Sequence, residues 1–223
     1  MLKYSLPIVD SPDVFSVNKI ICIGRNYAEH AREMGHDPDR EPPFFFFKPQ
    51  SALAQNGDVF HYPHFSRHVE HEVELVVAIG KSATKISAAD AGNVVFGFAV
   101  GLDMTCRDIQ KEAKKLGRPW ELAKGFDGSA PCTAIQRGTM RDLEQCNALV
   151  LTRNGDEVQR GNWRDMVWPI PELIAEVSRY IKLEAGDLIF TGTPAGVGPV
   201  QIGDELIARL EGFSQTLKLR ITE

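Results

Sequence analysis

The sequence predicts an α+β fold that is mostly β, and three observations carry that expectation. Short runs rich in β-branched and aromatic residues recur, among them "KIICIG", "DVFHYP", "EVELVVAIG", "NVVFGFAVGL", "DLIFTG", "DELIARL" and "TLKLRI". Many are bounded by Gly, Asp, Asn or Pro, the usual punctuation of strands. Only three stretches carry helical punctuation, and 223 residues at 43% hydrophobic composition can bury one full core, so a single domain over 1–223 is expected.

Taken in chain order, "KIICIG" is a buried strand, and "NYAEHAREMG" is the first helix, with Asn26 as N-cap, Glu29 at capping-box spacing and Gly35 as stop. The polar, proline-rich segment from Met34 to Pro43 is expected to be a mobile loop or lid. "RHVEHEVELVVAIG" is a strand whose second half is apolar on both faces and therefore penetrates the interior. A further strand, Val94 to Leu102, ends at Asp103. "TCRDIQKEAKKLG" is a helix with a Thr105 cap, an apolar line of Ile109, Ala113 and Leu116, late lysines and Gly117 as stop. Asn154-Gly155 suits a type I′ turn and predicts a hairpin over 148–160. "PELIAEVSRYI" starts at Pro171 and lines up Leu173, Ile174, Val177 and Ile181 on one face.

Composition excludes several functional classes. A formal net charge of -5 offers no broad attraction to nucleic acid or to an anionic membrane, so neither is an expected partner. No run approaches the length of a membrane helix, and Pro7 and Asp10 interrupt the N-terminus before a secretory signal could form. Cys22, Cys106, Cys132 and Cys146 form no C-x-x-C pair and are expected as reduced thiols in a cytoplasmic protein. "TGTPAGVGPV" lacks the G-K-[ST] ending of a phosphate loop, and Trp120, Trp163 and Trp168 have no basic interleaving of a nucleic-acid-binding kind and belong to packing or a pocket wall.

The chemistry begins with Glu70, Glu72 and Glu74, which strand alternation puts on one face at the mouth of the apolar run. An exposed strand end could carry such a row. Next to an interior strand, however, repelling carboxylates cost several kcal/mol, on the order of one ion's desolvation, unless a cation neutralises them. Oxygen donors select Mg²⁺, Mn²⁺ or Ca²⁺ over zinc, and Asp103, at a strand-to-helix junction, is a plausible third ligand beside two strand-borne glutamates. His30 and Glu33 lie three apart on one helical face, where the carboxylate can orient the ring and raise its basicity, or simply form a surface pair.

Together these stretches resemble the fumarylacetoacetate hydrolase superfamily, in its small acylpyruvate-hydrolase branch. The resemblance rests on "IICIGRNYAEHAREM", "EPPFFFFKP", "HEVELVVAIGK", "GFAVGLDMTCRDIQKEAKKLGRPWELAKGFDGSAP" and "WPIPELIAEVSRYIKLEAGDLIFTGTPAGVGPV". "FFFFKP" and "AKGFDGSAP" look most like the bacterial fumarylpyruvate hydrolases of aromatic catabolism. The resemblance implies a mixed β-sandwich roll with short peripheral helices, a homodimer, and one Mg²⁺ or Mn²⁺ on Glu72, Glu74 and Asp103. It further implies a catalytic set of His30, Glu33 and Lys124, and substrate contacts from Arg25, Arg107, Gln110, Gly192 and Thr193. The implied reaction is hydrolysis of a 2,4-diketo acid, fumarylpyruvate to fumarate and pyruvate. Alternatives are decarboxylation of oxaloacetate, decarboxylation or isomerisation of a longer diacid, or a divalent-cation-binding protein without catalysis. Many relatives carry two histidines before the first metal glutamate. Here Glu70 precedes His71, so Glu70 is expected either in solvent or beside the ligands.

Overall fold

The computed structural model describes residues 4–29 and 42–223, most of them in strands and the loops between them. The largest sheet runs in the order Phe44–Lys48, Ile20–Gly24, Leu188–Phe190, Val73–Ile79, Val95–Leu102, Ala130–Cys132, Leu53–Gln55. It is mixed: Leu188–Phe190 pairs parallel with Ile20–Gly24 and antiparallel with Val73–Ile79. A second sheet orders Asp156–Asn162, Ala148–Arg153, Glu205–Leu210, Thr216–Thr222 and Val59–His61. This is the mixed, mostly β architecture that the sequence implies.

Both faces of the large sheet are covered, which explains why its central strands are apolar throughout. Val73, Leu75 and Val77 pack with Leu149, Leu151, Leu206, Leu217 and Leu219 of the second sheet. The alternate residues Val76 and Ala78 pack with Ile20, Cys22, Leu188, Phe190 and the N-terminal Leu6 and Phe15. Every residue of Val73–Ile79 is buried.

The stretch expected as one acidic strand is two. Val69–His71 belongs to a small sheet with Thr105–Cys106 and Gly198–Pro199, whereas Val73–Ile79 belongs to the large one. Glu72 is the residue at which the chain passes between them.

The helix begins at Arg107, not after a Thr105 cap, because Thr105 and Cys106 are already paired with Glu70 and Val69. Its inward face is Arg107, Gln110 and Ala113, whereas Leu116 is half exposed, so the apolar line read from the sequence is not the buried one. The helix does stop at Gly117, which takes a left-handed φ of 63°. The hairpin forms as expected, with Asn154 and Gly155 at φ 55° and 93° and strands reaching Asn162. Ile170–Tyr180 is helical, with Leu173, Ile174 and Val177 buried and Ile181 just beyond its end. Two single-turn helices, Glu121–Lys124 and Met140–Leu143, were not anticipated. Among the described residues no helix is long and apolar enough to cross a membrane.

Candidate active site

Glu72, at the change of sheet, Glu74, one residue into the central strand, and Asp103, just past the next strand, converge. One carboxylate oxygen from each lies within 4.8 Å of the others, and all three residues are buried. Antiparallel pairing of Val73 with Leu102 brings the two segments together, and the Asp103 N–H donates to the Glu72 carbonyl at 2.8 Å.

Positive groups hold the cluster in place. Lys124 Nζ donates to Glu72 Oε2 at 2.7 Å and to Asp103 Oδ2 at 2.6 Å. Burial alone would depress this ammonium, but Asp103 and Glu72 outweigh it and hold its pKa above the ordinary lysine value. Arg107 donates from Nη2 to Glu72, from Nε to Glu70 at 2.5 Å and from Nη1 to Gln110 Oε1 at 2.7 Å. Glu70 is thus the anchor of Arg107, and its other oxygen lies 2.9 Å from His68 Nε2. Arg107 lines the cavity while its guanidinium engages three protein acceptors.

Lys48, a residue that sequence reasoning missed, is buried at the end of the Phe44–Lys48 edge strand. Its Nζ donates to the carbonyls of Met104, Lys124 and Ser129 and lies 2.8 Å from Asp103 Oδ1. That last contact is an ion pair by distance but lacks hydrogen-bond alignment, so Asp103 Oδ1 remains a buried oxygen without a hydrogen-bond donor. Glu74 accepts from the Gly192 N–H at 2.9 Å. Burial, then the charges of Asp103 and Glu72, hold its pKa well above the usual carboxylate range.

An unsatisfied buried oxygen and an acidic group pushed towards protonation are what a carboxylate site shows when a cation would complete it. The donor set is all oxygen, which fits a hard divalent metal such as Mg²⁺ or Mn²⁺, and these three residues could hold one.

The cluster lines a cavity whose walls include Arg25, Phe44, Phe46, Lys114, Trp120 and Thr193. Arg25 sits at a left-handed φ of 58°, and its guanidinium lies 5.4 Å from the Phe44 ring. Non-glycine residues held in that conformation cluster at functional sites. Thr193 is presented to the cavity while its Oγ1 accepts from Gln159 Nε2 at 2.9 Å. Gly192 takes φ 98°, and a Cβ there would come within 2.8 Å of the Asn26 Cβ, so glycine lets the loop approach closely. His30, Glu33 and all but the last two residues of the lid expected from Met34 to Pro43 lie outside the described residues.

Two polar residues beyond the sequence-derived set organise the site. Lys48 carried a signal: an ammonium closing an apolar strand in "FFFFK" is as conspicuous as Lys124 in "LAKGF". Gln159 carried none, because a hairpin strand reading DEVQRGN looks solvent-facing. Its buried amide accepts from Val73 N and His71 Nδ1 and donates to Thr193 and Pro194, tying the hairpin to both site loops.

The chain is similar to known proteins. The family described as "Fumarylacetoacetate (FAA) hydrolase C-terminal" matches residues 19–220. A solved structure of fumarylpyruvate hydrolase from Pseudomonas aeruginosa, in complex with Mn²⁺ and pyruvate, superposes with a TM-score of 0.94 at 41% identity, covering 100% of this chain and 97% of that one. The oxaloacetate tautomerase YcgM of Escherichia coli is 40% identical over 92% of this chain and 94% of its own length. The human mitochondrial oxaloacetate tautomerase FAHD1 is 43% identical over 92% of each. Match length and identity together place the chain in the fumarylacetoacetate hydrolase family.

Proposed function

We propose that residues 1–223 form one catalytic unit, a divalent-metal-dependent enzyme that cleaves the carbon-carbon bond of acylpyruvates, converting fumarylpyruvate to fumarate and pyruvate. The observation that carries the reading is the convergence of Glu72, Glu74 and Asp103 in a cavity whose other charged groups are cationic. A cation held there would supply Lewis-acid stabilisation of charge on the oxygens of a 2-oxo acid.

The chain's own groups do the rest. Lys124, kept charged by Asp103 and Glu72, presents a fixed ammonium to the negative charge that appears on the pyruvate fragment as the bond breaks. His30, oriented by Glu33, takes the proton of the water that adds to the distal carbonyl and returns it to the departing enolate carbon. Arg25 and Thr193 orient the substrate. Arg107 and Gln110 act through Glu72, and Gly192 acts through Glu74. The four buried, unpaired thiols suit the reducing cytoplasm. The active form is a homodimer, as the family resemblance implies.

A second reading is keto-enol tautomerisation of oxaloacetate. The names of the relatives that are 40% and 43% identical favour it, and it requires the same charge stabilisation without a water-activating dyad. Following ultraviolet loss of the enol for fumarylpyruvate, acetylpyruvate and oxaloacetate, with pyruvate release measured in parallel, separates the two. Enol loss with stoichiometric pyruvate, dependent on Mg²⁺ or Mn²⁺ and abolished by chelator, is expected for fumarylpyruvate. Equilibration of oxaloacetate alone, with no pyruvate from either diketo acid, would replace the first reading by the second.

A further inference from the structure

Among the described residues, the cavity wall carries a cation whose ammonium is paired with no carboxylate. Lys114 lies on the helix Arg107–Leu116, one turn beyond Gln110, and lines the cavity together with the three carboxylates. Among the described residues its side chain makes no hydrogen bond or ion pair. Its ammonium instead stands 5.0 Å from the Trp120 ring, whose edge meets Phe44 and Phe46 at 5.4 and 5.9 Å. Phe44 in turn carries the Arg25 guanidinium on its face. Two cations therefore rest on one aromatic wall of the cavity that the three carboxylates also line. Burial and then the charges of Arg107, Arg25 and Lys124 depress the Lys114 ammonium, and the opposing pull of Glu72 does not offset them.

A 2-oxo acid already has one carboxylate, and its place is beside the 2-oxo oxygen at the carboxylate cluster. The wall cations would face whatever lies at the other end. The geometry points to Lys114 as a specificity residue that receives a second, distal carboxylate, so that the cavity selects 2-oxo dicarboxylates over monocarboxylates. This rests on the reading of the cavity as a 2-oxo acid site, and it holds for either reaction considered there. Lys114 is exposed at the cavity rim, and the aromatic support and the place in the cavity wall are what set it apart from an ordinary surface lysine.

The test compares pairs of acids that differ only in the distal carboxylate: 2-oxoglutarate against 2-oxopentanoate, and 2-oxoadipate against 2-oxohexanoate. Each is titrated calorimetrically into the full-length Mn²⁺-loaded protein at low ionic strength. The wild type should prefer the dianion of at least one pair by about tenfold, the worth of one charge-assisted hydrogen bond. Lys114→Met should bring that ratio below about threefold, and Lys114→Arg should keep most of it. A wild-type ratio near one overturns the assignment, and so does a ratio that Lys114→Met leaves intact. A purely structural role would weaken both acids together and so leave the ratio intact. If the protein binds none of the four acids, the reading of the cavity itself fails, and the assignment fails with it.

Discussion

Replacing Lys124 by Met removes one ammonium from between two carboxylates while keeping an unbranched apolar stem of similar length. Lys124 Nζ lies 2.6 Å from Asp103 and 2.7 Å from Glu72, and the three side chains are 3%, 2% and 7% exposed. Deleting one partner of such a buried pair costs about 3–5 kcal/mol, because the remaining charge is left desolvated. Here Arg107 stays on Glu72 and Lys48 stays beside Asp103, which places the loss at the lower end, about 3 kcal/mol. For a chain of this length each kcal/mol moves Tm by about 2–4 °C, so the variant should melt roughly 6–12 °C lower without metal. A divalent cation restores positive charge to the same carboxylates, and at a hundredfold excess over its Kd it adds about 2.7 kcal/mol. The variant should gain more than the wild type, because one competing ammonium is gone. Melts followed by circular dichroism, in chelator and in saturating Mn²⁺, should therefore show the deficit shrinking to about half or less. A metal-free Tm equal to that of the wild type would refute the reasoning, as would a deficit that Mn²⁺ leaves as wide.

Three further outcomes follow from the same site. Glu72→Ala and His30→Ala should each lower fumarylpyruvate turnover by at least ~100-fold with the circular dichroism spectrum retained, and near-normal activity in either would discredit its role. Gln159→Leu removes the acceptor of Val73 N and His71 Nδ1 and the donor to Thr193, so it should cost about 2–4 kcal/mol in denaturant melts and raise KM more than it lowers kcat. Glu74, whose pKa burial and its acidic neighbours raise, keeps a proton in the metal-free native state that the unfolded chain has already released. That group's contribution to metal-free stability therefore falls as pH climbs from the ordinary glutamate pKa through the raised one. A bound cation needs the oxygen bare, so the Mn²⁺-induced rise in Tm should grow between about pH 5 and 8, and a flat or shrinking rise would count against it.

Much of the site could be read from the residues because the chemistry is conspicuous where it contradicts its surroundings. Two glutamates leading into "LVVAI" and an aspartate closing "VVFGFAVGL" are acidic where the chain is otherwise bound for the core. The structure buries all three together. The reading failed where the interior itself is polar. Periodicity assigned the helix after Cys106 an apolar face of Ile109, Ala113 and Leu116, yet it turns Arg107 and Gln110 inward because its neighbour there is a charged cavity, not a hydrocarbon core. Alternation likewise treated residues 70 to 74 as one continuous strand, since nothing local marks a change of sheet at Glu72. Gln159 escaped notice for a related reason: its hydrogen-bond partners lie 34 to 88 residues away along the chain.

The passage of the chain from the small sheet to the large one at Glu72 bears on how the molecule should come apart. A cation bridging Glu72, Glu74 and Asp103 would rivet a joint between two layers that otherwise meet through short pairings such as Thr105–Cys106 with Val69–Glu70. Stripping it should loosen that joint first, leaving the doubly covered centre of the large sheet intact, so amide exchange near residues 69–72 and 103–107 should quicken well before that of Val73–Ile79.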